Sequence, residues 1–75
     1  MPKLRRMSGR DARKILERNG FVFVRQNGGH MMMQKQEENT TRTVPVPDHA
    51  ELRIGTLHGI IRQSGLPREL FETRT

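Results

Sequence analysis

The chain switches between two hydrophobic periods, and the switches lay out its elements. Ala12, Ile15 and Leu16 stand at helical spacing behind Ser8, with Arg10, Arg13, Lys14, Glu17 and Arg18 on the opposite side. Ser8 followed by Asp11 makes a capping box with the shorter acid, Met7 can staple onto Ala12, and Gly20 ends the helix as a left-handed residue. At Phe21 the pattern turns to β-branched and aromatic residues. "FVFVRQ" (Phe21 to Gln26) reads as a strand, Asn27, Gly28 and Gly29 supply the positive φ angles of a tight hairpin, and His30 to Gln36 returns. "EENT" (Glu37 to Thr40) is a second turn and Thr41 to Val46 a third strand, whose Pro45 lacks a ladder donor and so belongs at a sheet edge. Thr56 then reads as the N-cap of a second helix with Leu57, Ile60, Ile61 and Ser64 on one side and Gly65 as its stop. Pro67 opens a further short turn that places Leu70 and Phe71.

The order α-β-β-β-α predicts an α+β, two-layer domain, with a three-stranded antiparallel sheet carrying two helices on one face and leaving the other face open. Alternation sends His30 and Met32 to one face of the sheet and Met31 and Met33 to the other, and at least one of the two faces packs into the core. With 75 residues the chain forms one domain, residues 1–75, with an ordered core of about 7–72 and mobile ends at 1–6 and 72–75. A chain of this size buries roughly 60% of its unfolded surface, so any chemistry is done at the surface. The lack of cysteine removes disulfides and thiolate nucleophiles. No apolar run is long enough to span a bilayer or serve as a signal segment, and a cytoplasmic protein is expected.

Charge changes the picture because it is lopsided. Residues 1–25 carry eight cations against Asp11 and Glu17, a net of +6, while residues 26–75 carry six of each sign. A polyanion-facing surface has this footprint, and so does a solvated basic face that keeps a small protein soluble. The only aromatics are three Phe, so a stacking platform for single strands is weakly represented.

Three histidines, His30, His49 and His58, have no paired spacing and no cysteine beside them, so neither a metal site nor a cofactor is expected. His58 falls on a polar helix surface and His49 in the connection to the second helix, where a structural role is favoured. His30 differs because Gly28 and Gly29 would let a phosphodiester approach the first residue of the strand. An accessible imidazole among cations can move a proton to or from an RNA ribose 2′-hydroxyl or 5′-oxygen while Arg25, Lys35 or a helix-one arginine meets the phosphorane charge. A plain turn histidine fits the same residues.

The stretches "SGRDARKILERNGF" (Ser8 to Phe21), "VRQNGGH" (Val24 to His30), "VPDHAEL" (Val46 to Leu52) and "GTLHGIIRQSGL" (Gly55 to Leu66), in this order and spacing, resemble the HicA family of bacterial type II toxins. That resemblance implies a double-stranded-RNA-binding-domain-like fold, an mRNA interferase activity without a metal, His30 as the catalytic residue, and a HicB-type antitoxin as partner. The lopsided charge and the glycine approach, rather than the resemblance, place RNA on Arg6, Arg10, Arg13, Lys14, Arg25, Gly28, Gly29 and Lys35, and no direct DNA binding by the toxin alone is expected. The family's usual Gly-Ser-His is Gly28, Gly29 and His30 here, which loses a hydroxyl beside the histidine. Two other functions fit: an RNA-binding module that blocks translation by occupancy, or a scaffold for its partner that has lost activity with that serine.

Overall fold

In the structure, a computed structural model describing residues 3–72, the capping box forms at the head of α1 (Gly9–Arg18). The Asp11 N–H donates to the Ser8 hydroxyl at 3.0 Å and the Ser8 N–H donates to the Asp11 carboxylate at 3.2 Å. The Ser8 N–H first, and after it the Ser8 hydroxyl, favour the charged Asp11 carboxylate and hold its pKa below the ordinary value. Gly20, with φ 95°, turns the chain out of the helix, and Met7, Ala12, Ile15 and Leu16 are buried.

β1 (Val22–Asn27), β2 (His30–Glu37) and β3 (Thr40–Pro47) follow as an antiparallel meander in the order β1-β2-β3. Met31 and Met33 of β2 and Val44 and Val46 of β3 face the helices and are buried, so the alternation read from the sequence sets the core face. β3 is an edge, as Pro45 requires. Pro45 and Pro47 pair with Met32 and His30, and since neither can donate, the donors that hold this stretch of β3 to β2 come from the positions that alternate with them, Val44 and Val46. The outer edge of β3 thereby lacks donors at both positions, which protects it from pairing with another strand.

α2 (Ile54–Ser64) packs on β3, while α1 touches all three strands. α2 begins two residues before Thr56 and its N-cap is Arg53, without a side-chain cap. The reason is tertiary: the Leu52 side chain is buried and its N–H donates to Met7 O at 2.8 Å, so the chain is anchored and free to coil directly after it. Gly65, at φ 70°, ends the helix. Arg42 of β3 reaches the same end, donating to Gln63 O at 2.9 Å and to Glu37 at 3.2 Å. Pro67 is the N-cap of a 3-10 turn (Arg68–Phe71) rather than its first residue, and Phe71 is buried. Of the ends expected to be mobile, Leu4 bridges Glu72 and the Arg5 N–H donates to Phe71 O at 2.8 Å; residues 1–2 and 73–75 lie outside the described residues.

The hairpin between β1 and β2 differs from expectation in one respect. Among Asn27, Gly28 and Gly29, only Gly28 has a positive φ, 61°. A two-residue loop with glycine at its first central position meets the demand of a II′ turn, so Asn27 and Gly29 need no left-handed conformation.

Candidate functional site

His30 opens β2 on the sheet face opposite that of the buried Met31 and Met33. Its side chain is exposed, and none of the side-chain hydrogen bonds among the described residues uses its imidazole. Asn27 lies directly across the strand pair and Pro47 on the other side. A Cβ added at Gly28 or Gly29 would meet nothing within 4 Å, so the approach to His30 from the hairpin is open.

Arg25 shares this face because of a β-bulge. The register passes from Phe23↔Met33 directly to Arg25↔Met32, skipping Val24. With regular pairing Arg25 would oppose Met31 and point toward the helices; the extra residue turns it to the side of Met32 and His30. Arg25 is thus two pairs along from His30 on the neighbouring strand, the next position on that face, at a diagonal spacing of roughly 7–8 Å that an arginine spans.

The other cations expected at the site fall elsewhere. Lys35 is on the opposite face, half-buried, with its methylenes beside Gly20 and its ammonium 5.9 Å from the Phe21 ring centre. Arg10, Arg13 and Lys14 project from α1 into a recess of about 330 Å³ shared with Gln26, Met31 and Asp48. Several of these charges already have partners: Arg10 meets Asp48 at 3.2 Å, Arg13 meets Glu17 at 3.3 Å, and Arg6 stands 3.9 Å from Glu51. The Arg13 guanidinium also lies 4.2 Å from the centre of the Phe23 ring. Exposed pairs of this kind are worth about 0–1 kcal/mol, so they yield readily to a polyanion.

Asp48 joins the two clusters. Its N–H donates to Gly29 O at 2.8 Å, behind the hairpin, while its carboxylate takes Arg10. α1 reaches this point because Gly9 is buried there, its N–H donating to His49 O at 2.9 Å. The structural part of His49 is therefore played by its backbone, and its side chain, like that of His58, is exposed. Among the described residues no three His, Asp or Glu side chains gather as a metal-ion site.

On the far side of His30 lies a groove of about 320 Å³, lined by Pro45, Pro47, Thr56, Gly59, Ile60 and Gln63. Pro45, Thr56 and Ile60 carry structural expectations in the sequence and none of the groove residues a functional one, although Thr56, Gly59, Ile60 and Gln63 follow the i, i+3, i+4, i+7 spacing of one helix face.

Two amphipathic helices on one side of a three-stranded antiparallel sheet, with a basic first helix and an open face bearing one free histidine, define the class of small α+β domains with a double-stranded-RNA-binding-domain-like arrangement. Within it, a family model described as "HicA toxin of bacterial toxin-antitoxin" matches residues 9–66, most of the chain, and the protein belongs to this family of toxins. A comparison with curated proteins found no match. No helix among the described residues is long and apolar enough to cross a membrane.

Proposed function

We propose that this toxin is a metal-independent endoribonuclease that cleaves mRNA in the cytoplasm through His30 and is neutralised by a HicB-type antitoxin. The observation that carries the reading is the position of His30: exposed, with an imidazole that enters no side-chain hydrogen bond among the described residues, and beside a glycine hairpin with open space around it. The ribose 2′-oxygen attacks the adjacent phosphorus, the bond to the 5′-oxygen breaks, and the products are a 2′,3′-cyclic phosphate and a 5′-hydroxyl. His30 takes the 2′ proton as base or supplies the 5′ proton as acid, and Arg25 meets the charge on the phosphorane. Arg6, Arg10, Arg13 and Lys14 hold flanking phosphates, with Gly28 and Gly29 admitting the backbone. Lys35 contributes to the field from the other face. One acid-base group gives about 10² to 10⁴-fold acceleration, so the enzyme is slow.

Wild type should shorten RNA in the presence of EDTA, whereas His30→Ala leaves it at full length, folds normally and still co-purifies with the antitoxin. Arg25→Ala should lower the cleavage rate without altering the fold. If His30→Ala cuts at the parental rate, the assignment is wrong. No second acid or base stands on the cross-strand positions beside His30, which favours one alternative, an RNA-binding module acting by occupancy. Retarded but intact RNA, with a log-log salt slope of about −2 to −4 for three to five single-strand phosphates, would select it.

A further inference from the structure

The groove beside His30 has a composition unlike the rest of the basic surface. Pro45, Pro47 and Ile60 make its apolar walls, and His30, Thr56 and Gln63 supply the polar groups at its rim. No cation and no carboxylate lines it. The side chains of Thr56 and Gln63, like that of His30, enter none of the side-chain hydrogen bonds among the described residues; the Gln63 carbonyl alone is used, by Arg42. Thr56 is left free because α2 starts ahead of it and takes no side-chain cap.

The space itself is made by a glycine that nothing in the protein requires. Gly59 lies within α2, where glycine weakens a helix, and a Cβ built on it meets nothing within 4 Å. It neither takes a positive φ nor admits a neighbouring backbone. Its effect is to leave the wall of the groove bare between Thr56 and Gln63, which flank it by three and four residues on the same helix face.

A groove with mostly apolar walls, a few convergent polar groups and a volume at the lower end of the range for small-ligand sites, about 300–1,000 Å³, suits a flat heterocycle better than a phosphate. Phosphates are served by the cations outside it. We propose that the groove holds the nucleobase next to the phosphate that reacts at His30, with the Gln63 amide and the Thr56 hydroxyl reading its edge. They are specificity-determining residues, not catalytic ones. The inference deepens the ribonuclease reading, on which it rests for the reacting phosphate. An amide that both donates and accepts discriminates among the four base edges, so the cut sites carry a nucleotide preference.

The test uses 2′-O-methyl dinucleotides of each of the four bases, which cannot be cleaved, titrated against isotope-labelled protein. Wild type should show amide shifts at Thr56, Gly59 and Gln63, with affinities that differ among the bases. Gly59→Leu, which fills the groove from an unobstructed position, should abolish those shifts while keeping the parental fold. Gln63→Ala should compress the spread between best and worst base by about fivefold, the value of one hydrogen bond. Shifts confined to the α1 recess, or undiminished α2 shifts in Gly59→Leu, would overturn the proposal. RNA cleavage assayed alongside separates the two ideas. Base-selective binding without cleavage refutes the nuclease and leaves the groove, whereas cleavage with the same flanking nucleotides in wild type, Gly59→Leu and Gln63→Ala refutes the groove and leaves the nuclease.

Discussion

Replacing Gly9 by alanine should be the most damaging single-methyl change in the molecule. The helix start at Gly9 sits against the end of β3: an added Cβ would overlap the Pro47 carbonyl oxygen, stand 2.9 Å from its carbonyl carbon and 3.3 Å from the Asp48 Cα. These are backbone atoms that cannot swing away. Relief requires moving α1 from the β3 connection, which stretches the 2.9 Å bond from the Gly9 N–H to His49 O. Overpacking costs about 1–3 kcal/mol, and a weakened backbone hydrogen bond adds roughly 1 kcal/mol. At about 4–8 °C per kcal/mol for a domain of this size, the melting temperature should fall by roughly 8–32 °C. Thermal and urea unfolding followed by circular dichroism measure it, with Gly59→Ala as the control: open space around that position predicts a gain of about 0.4–1 kcal/mol. A Gly9→Ala protein that unfolds within about 0.5 kcal/mol of wild type, a typical surface-substitution effect, would refute the close approach of α1 to Pro47. The change also reaches the site, because Asp48, one residue beyond Pro47, holds Gly29 through its N–H.

Three further outcomes follow from the same geometry. Gly29→Ser should fold at least as stably as wild type, since its Cβ meets nothing within 4 Å and its φ is not left-handed, so any change in RNA cleavage measured with it reports the chemistry of the hydroxyl rather than the turn. Arg42→Ala should destabilise the domain by about 1 kcal/mol and speed amide exchange at the end of α2, because it removes the donor to Gln63 O and a cation at the negative end of the helix. Asp11, whose folded pKa is lowered, contributes stability that is present above the unfolded carboxylate's value and is lost as pH falls through the lower folded one. Acid titration should therefore lose its contribution in Asp11→Asn, visible as a shallower decline in stability below the ordinary carboxylate range.

The elements were legible where local chemistry decides them. The Ser8 to Asp11 capping box, the glycine stops and the alternation of "HMMMQ" act over a few residues, and each is found as read. What escaped the reading depends on contacts between distant residues. The start of α2 follows the anchoring of Leu52 on Met7, and Thr56 has no local feature that would reveal it had lost the cap. The bulge at Val24 inserts a residue into a run of β-branched and aromatic side chains that gives no sign of a break, yet it decides which face receives Arg25. Similarly, sequence proximity suggested Lys35 as a companion of His30, whereas five residues along a strand is an odd step and leads to the opposite face.

A two-layer domain this thin has enough apolar surface for one face of its sheet, and that limit shapes where function can lie. The helices take the face of Met31, Met33, Val44 and Val46, and the residues that alternate with them, His30, Met32, Pro45 and Pro47, stay outside the buried core. Prolines are tolerated in β3 because they belong to an edge, and a helical glycine is tolerated in α2 because the core is closed by Leu57 and Ile60 without it. Each is a weak choice for a strand or helix, and all of them border the same groove beside the same imidazole. Substitutions on this face should consequently leave the melting temperature within a few degrees of wild type while changing what the protein does to RNA. Large losses of stability on substituting His30, Thr56, Gly59 or Gln63 would show instead that these residues hold the fold together; Ile60, which also closes the core, is set apart from this test.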